Sequence, residues 1–200
     1  MNVEVPTPPL QQNSDAGFWS RVPTWLALLA CSCCAAAAYG STAYAARFLN
    51  FDDNLFFGPD NPLFAAAVEV ARTDGFWAGL LETVQPGRVV ADVYLPVTTG
   101  SLFFDFWWFH GQPQGPHVIS FLLHALVAFC TFGWLGAMRV DRRIALGVAC
   151  CFALHPALAE SVAWVSSRKD VLSGLFVAIA PWQTARLADP SRAGGLRLVV

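Results

Sequence analysis

The residues that could bind an anion lie in one polar block between two apolar segments. The titratable residues of this block are His155, Glu160, Arg168, Lys169 and Asp170. Charged groups this close to apolar, membrane-type segments are costly and usually functional. The adjacent cations suit an anionic ligand such as a phosphate, and His155 could bind a phosphate oxygen or orient a carboxylate. Glu160 could serve equally in an ion pair or in an active site.

Two further polar blocks contain candidate acids and histidines. The segment NFDDNLFF places Asp52 and Asp53 after the first apolar run, where a carboxylate could act as a general base. The same acids could also cap a helix or form a turn. In the third block, Asp105 suits a loop cap. His117 and His124, seven residues apart, suit packing or hydrogen bonding between helices.

The composition indicates what kind of scaffold must position these groups. Hydrophobic residues make up 56% of the 200-residue chain, charged residues only 13%, and the mean hydropathy is +0.48. Soluble domains carry roughly 25% charged residues. The sequence therefore predicts an integral, multi-pass, all-α membrane protein. The net charge of -2 gives no reason to expect nucleic-acid binding, which requires a basic footprint.

The apolar segments predict the order of elements along the chain. A flexible N-terminal tail (1–22) precedes a helical transmembrane domain (23–200), and a long outer loop (48–115) carries amphipathic helices, one of them predicted over 62–83. The predicted spans are about 23–46, 116–138, 144–159 and 171–185, with the start of a fifth at 196. The chain is therefore expected to be a truncated part of a larger bundle.

The first apolar segment has two alternative interpretations. The small residues of AYAA before Arg47 are typical of a signal-peptide cleavage site, and LLAC ending at Cys31 weakly resembles a lipoprotein signal. The six cysteines lie in apolar runs without the spacing of a zinc site. They are predicted to be small buried side chains, and no metal site is predicted.

The basic residues predict the orientation of the chain. Cytoplasmic loops carry an excess of Lys and Arg, and the clusters at 139–143 and 186–197 fall on one side of a four-span arrangement. That side is predicted to be cytoplasmic, as is the N-terminal tail, and the loop 48–115 is predicted to face the periplasm or a lumen. Arg168 and Lys169 then lie on the outer side, where a bound anion explains them. Headgroup solvation, or salt bridges to Asp170 and Glu160, is the alternative.

The motif residues resemble a known family. The segment HPALAESVAWVSSRKDVLS resembles the signature of the membrane O-mannosyltransferase family with C-terminal tetratricopeptide repeats, and of its bacterial relatives. The family's acidic motif after the first span is matched loosely by Phe51, Asp52 and Asp53. A further family pattern is matched at Pro96, Thr98, Ser101, Asp105, Gly115, His117, His124 and Ala125. Val97 departs from the usual Leu, and 157–159 lacks a second His often found there.

The resemblance implies a polytopic GT-C type glycosyltransferase. Such an enzyme transfers a sugar, for example mannose, from a polyprenyl-phosphate carrier to an acceptor protein on the outer or lumenal face. Asp52 and Asp53, with Asp53 slightly favoured, become the catalytic carboxylates, and Arg168 and Lys169 bind the donor phosphate. The supporting residues are His155, Glu160, Asp170, His117 and His124. No cofactor is expected, although a divalent metal is left open.

The resemblance also leaves alternatives open. The implied location is a bacterial inner membrane, or the endoplasmic reticulum membrane in a eukaryote, with membrane lipid as a further partner. The same fold could instead be a non-catalytic anchor that presents partner-binding repeats, or a flippase component whose outer charges bind a lipid headgroup. If Asp52 or Asp53 shares one cavity with Arg168, the enzyme is favoured over the anchor.

Overall fold

The described part of the chain is a helical bundle. The computed structural model describes residues 22–44, 47, 53–57, 61–90 and 92–188, is about 81% helical and has no strand within these ranges. The prediction of an all-α protein is therefore confirmed. The helices are α1 (Thr24–Tyr44), α2 (Asp53–Phe56), α3 (Pro62–Asp74), α4 (Phe76–Val84), α5 (Pro96–Trp108), α6 (Gln114–Ala137), α7 (Arg142–Ala153), α8 (Ala159–Ala163) and α9 (Arg168–Leu187).

Helix α6 is the centre of the bundle and packs against α1, α7 and α9. Its contact with α1 and α7 is built largely from small side chains, which let helix backbones approach closely. The buried members of this contact are Ala27, Cys31, Ala128, Phe132, Ala145, Ala149 and Ala153. Helix α6 is 24 residues long, which corresponds to about 36 Å, enough to cross a bilayer.

Two helices are long and apolar enough to cross a membrane. They are Thr24–Thr42, within α1, and Gln114–Ala137, which is α6. A third span results if α7 and the segment Pro156–Ala163, which meet at a bend of 49°, count as one. Helix α9, which contains the predicted span 171–185, is not apolar enough to join this set. A membrane protein is therefore supported, whereas the full set of predicted spans stays a prediction.

An aromatic layer formed by α3, α4 and α5 lies beside the bundle. Its buried core includes Phe57, Phe64 and Phe103, whose rings pack edge to face with their neighbours. The predicted single helix over 62–83 is divided into α3 and α4 at Gly75, whose φ of 95° ends the first helix. Two antiparallel segments can then fold against each other, which one continuous helix could not do.

The cysteines only partly follow the prediction that they are buried. Cys31 and Cys130 are buried, whereas Cys33 and Cys151 are exposed on the outer faces of α1 and α7. All six are free thiols. In a membrane bundle such an outward position faces lipid, so an apolar run alone does not show which thiols lie inside.

Candidate functional site

Arg168 occupies the centre of a buried polar cluster at the first turn of α9. Its guanidinium is fully buried and donates from Nε to Ser120 Oγ at 3.0 Å. Nη2 donates to Asp105 Oδ2 at 2.7 Å and to the Pro116 carbonyl at 2.8 Å. Nη1 has no hydrogen-bond partner among the described residues. One side chain therefore joins α5, α6 and α9.

Asp105 supplies the negative charge for this arginine. It lies within α5 rather than in a loop, so it is not the loop cap that the sequence suggested. Burial raises the pKa of Asp105 above its ordinary value, and the charge and hydrogen bonds of Arg168 offset only part of that increase. The alternative interpretation, in which Arg168 forms salt bridges to Asp170 and Glu160, is wrong, because its partner is Asp105.

Asp53 joins the cluster from the first turn of α2. Its Oδ1 accepts a hydrogen bond of 3.0 Å from the backbone N–H of Ser166, 113 residues away in sequence. The carboxylate is fully buried. The segment that follows α1 therefore meets the loop that leads into Arg168 and Lys169. Asp52, the other predicted catalytic acid, lies outside the described residues.

His117 lies between these groups on the first turn of α6. It is buried, and the charges of Asp53 and Arg168 are both close enough to act on it. Backbone groups of Arg47 and Ala163 lie near its ring, but neither ring nitrogen makes a hydrogen bond of normal geometry to a described residue. The cluster therefore brings together an acid, a histidine and an arginine from three parts of the sequence.

His124 lies two turns further along α6 and holds helices together. Its Nε2 donates to the Ala153 carbonyl at 3.2 Å, between α6 and α7. Its ring packs edge to face against Tyr39 of α1, with centroids 5.4 Å apart. The expected interhelical hydrogen bond is therefore present, and His124 positions helices rather than facing the cluster.

Lys169 has surroundings that differ from those of its neighbour. Its side chain is exposed, and its strongest contact is a weak 3.4 Å hydrogen bond from Nζ to the Ser166 carbonyl. Within the described ranges it has no ion pair. It lies at a groove of about 240 Å³ between the start of α5 and the first turns of α9, with Val97, Leu172 and Phe176 among the walls.

The remaining supporting residues lie at the surface. Glu160 and Asp170 are exposed, as is His155. His155 caps a 3-10 turn, because its Nδ1 accepts the Ala157 N–H at 3.2 Å, and its carbonyl accepts the Tyr39 hydroxyl at 3.0 Å. The described residues contain no group of three His, Cys, Asp or Glu side chains that could hold a metal ion.

Sequence reasoning missed the neutral partners of the cluster. Ser120 and the carbonyl of Pro116 bind Arg168 directly, and the Ser166 backbone binds Asp53. One signal could have revealed Ser120, which follows His117 by three residues and therefore shares its helix face. A backbone donor such as that of Ser166 leaves no such signal.

No protein-family model, curated protein or solved structure matches this chain.

Proposed function

We propose that this chain carries the donor site of a membrane glycosyltransferase that moves a sugar from a polyprenyl phosphate to a protein hydroxyl. One observation carries the proposal. The carboxylate of Asp53 binds the backbone two residues before Arg168, so the acidic segment and the basic pair meet in one place. A phosphate-borne sugar needs both, a cation for the phosphate and a base near the acceptor.

In this proposal Lys169 binds the phosphate of the donor. The groove beside it has apolar walls, and Val97 and Phe176 are more than half exposed, which suits a polyprenyl chain. An exposed lysine with no carboxylate partner among the described residues has its charge available for an anion. Arg168, which is fully buried and bound to Asp105, holds the start of α9 in position for Lys169.

Asp52 and Asp53 have different roles in this proposal. Since Asp53 is buried and binds a backbone amide, we assign it the positioning of the loop. The role of general base passes to its neighbour Asp52. The acceptor oxygen bonds to the anomeric carbon as the bond from that carbon to the phosphate oxygen breaks. The acceptor proton passes to Asp52, and the electron pair leaves with the phosphate, whose increased negative charge Lys169 stabilises.

Transfer is tested with the full-length protein in vesicles that contain polyprenyl-phosphate mannose and an acceptor peptide. Asp52→Asn should lower the rate by about 10²–10⁴-fold, because the amide keeps the shape and removes the base. Asp92→Asn is the matched control, since Asp92 is an exposed acid of the same outer loop. Equal turnover in the Asp52→Asn, Asp92→Asn and wild-type proteins would contradict the proposal.

Donor binding is tested separately through Lys169, which is the only lysine of the chain. An amine-specific reagent should label this side chain, and polyprenyl-phosphate mannose should protect it. Peptide mass spectrometry locates the label at residue 169, and Lys169→Arg is the reference without a label at this position. Lys169→Gln should weaken donor binding by about tenfold, the loss expected for one charge-assisted hydrogen bond. Arg72→Gln, at another exposed outer-loop cation, should leave binding unchanged.

The non-catalytic anchor is the second candidate, and the buried pair of Arg168 and Asp105 favours it. That pair gives the arginine of the motif a structural role in which no substrate takes part. The anchor predicts neither protection of Lys169 nor sugar transfer. Protection without transfer in the wild-type protein would instead favour a lipid carrier of the flippase type.

A further inference from the structure

A second site lies at the opposite end of α6 and is separate from the proposed donor site. The ends of α1, α6, α7 and α9 border an open cavity of about 570 Å³. Thr24, Gly136, Arg142 and Arg186 are among its lining residues, each from a different one of these helices. From residue 120 to residue 136 of α6 the distance along the axis is about 24 Å.

The cavity is positively charged. Both arginines that line it stack on aromatic rings, Arg142 over Phe132 at 5.2 Å and Arg186 over Trp182 at 5.9 Å. The described residues of the lining include no acid, and neither arginine has an ion pair within the described ranges. The Nε of Arg142 is buried without a hydrogen-bond partner there. Two guanidinium groups therefore line one cavity, and neither has an acidic partner among the described residues.

The walls of the cavity indicate which kind of anion fits. Phe129, Phe132 and Trp182 line it at the end of a helix that is apolar enough to cross a membrane, the depth at which lipid headgroups meet acyl chains. The space at Gly136 is open, because a Cβ there would meet nothing within 4 Å. A free polar anion would gain little from aromatic walls, whereas a phospholipid matches both the charge and the apolar surface.

We propose that Arg142 and Arg186 together bind the phosphate of one anionic membrane phospholipid, whose acyl chains leave along the aromatic wall. Guanidinium groups bind phosphate oxygens through paired hydrogen bonds, and the partnerless Nε of Arg142 supplies one donor. Basic pockets between membrane helices on the cytoplasmic side are known to select anionic headgroups. Such a lipid would join α7 to α9 at an end where protein contacts leave a cavity.

The test uses the full chain in phosphatidylcholine nanodiscs with graded amounts of phosphatidylglycerol, and native mass spectrometry counts the retained lipid. The wild-type protein should keep one phosphatidylglycerol in preference to phosphatidylcholine. Arg142→Gln and Arg186→Gln should each weaken retention by about tenfold, as the loss of one charge-assisted hydrogen bond implies. Arg143→Gln is the matched control, because Arg143 is exposed and lies outside the cavity lining.

A second variant distinguishes the effect of the arginine charges from the effect of the cavity volume. Gly136→Leu keeps both arginines and places a side chain in the cavity, so it should also weaken retention, whereas Gly147→Leu, at an exposed position of α7 that is equally open, should not. Equal losses in Arg143→Gln and Arg142→Gln would show a general surface-charge effect and overturn the proposal. Displacement of the lipid by inorganic phosphate alone would overturn it as well, since it would identify a simple anion site.

Discussion

The two ends of α6 use arginine in opposite ways. At the first turns, Arg168 is fully buried, and Asp105 compensates its charge at 2.7 Å. At the last turns, Arg142 and Arg186 lie on aromatic rings and have no acidic partner among the described residues. A compensated buried charge stabilises the fold only while both partners remain. Uncompensated cations at a cavity contribute little to the fold and remain available to a ligand.

The comparison would be overturned most directly if both ends of α6 lay on the same side of a membrane. The positive-inside rule predicts that Ser14 and Arg143 share the cytoplasmic side and that Asp74 lies opposite. Each is replaced by Cys, one at a time, in a background without the six native cysteines. A membrane-impermeant maleimide added to intact cells should label position 74 alone, and labelling of 14 and 143 should require lysis. Labelling of 74 and 143 from one side would refute the orientation.

The next largest effect is expected at the compensated end. Asp105→Asn leaves the Arg168 guanidinium buried without a counterion, and arginine cannot lose its proton. The variant should lose about 3–5 kcal/mol of stability, as is typical when one partner of a buried pair is removed. Unfolding in detergent with increasing denaturant measures this loss. Asp141→Asn, at the exposed N-cap of α7, is the control and should change stability little, because Asn caps helices equally well.

The reciprocal substitution should be milder and should depend on pH. In Arg168→Met the remaining Asp105 can become neutral by binding a proton, and its pKa, already raised by burial, should rise further once the arginine is gone. A carboxyl group whose pKa is higher in the folded state stabilises the fold most below its unfolded pKa. That contribution is lost as the pH rises through the folded pKa.

The pH window therefore distinguishes this variant from the wild-type protein. Stability of Arg168→Met should fall with rising pH, from the unfolded pKa of Asp105 near 3.8 upward, over a wider range than in the wild-type protein. Denaturant unfolding at several pH values measures the slope. If the unfolding free energy depended on pH with the same slope as in the wild-type protein, Asp105 would not take up a proton in the variant. That result would contradict the conclusion that Arg168 compensates the charge of Asp105.

The sequence predicts the elements better than the contacts between them. Uncharged runs of sufficient length predict α1 and α6, because a bilayer requires that length and composition. The motif also directs attention to Asp53, Asp105, His117 and Arg168, which the structure brings together. The partner of Arg168 could not be predicted from spacing, since Asp105 is 63 residues away. The nearer acids, Glu160 and Asp170, are exposed and make no ion pair with it.

The same limit explains why the basic cavity was not predicted. In the sequence, Arg142 and Arg186 both indicate a cytoplasmic side, which is all that the positive-inside rule can extract from isolated cations. Their shared role depends on α7 and α9 meeting the end of α6, and on open space at Gly136. Neither the meeting of these helices nor the open space can be read from the amino-acid sequence alone. Tertiary packing therefore adds the ligand site, whereas composition supplies only its charge.

The smallest effect is expected on the stability of the uncompensated end. Arg186→Gln removes a cation stacked on Trp182 at 5.9 Å, and such contacts at exposed positions contribute about 0.5–1 kcal/mol. In lipid-free detergent its unfolding free energy should therefore lie within about 1 kcal/mol of the wild-type value. Added phosphatidylglycerol should stabilise the wild-type protein more than the variant, because a ligand that binds only the folded state raises stability. If Arg186→Gln instead destabilises the lipid-free protein as much as Asp105→Asn does, the arginines at both ends of α6 stabilise the fold to the same extent. The arginines of the cavity would then be part of the structural core.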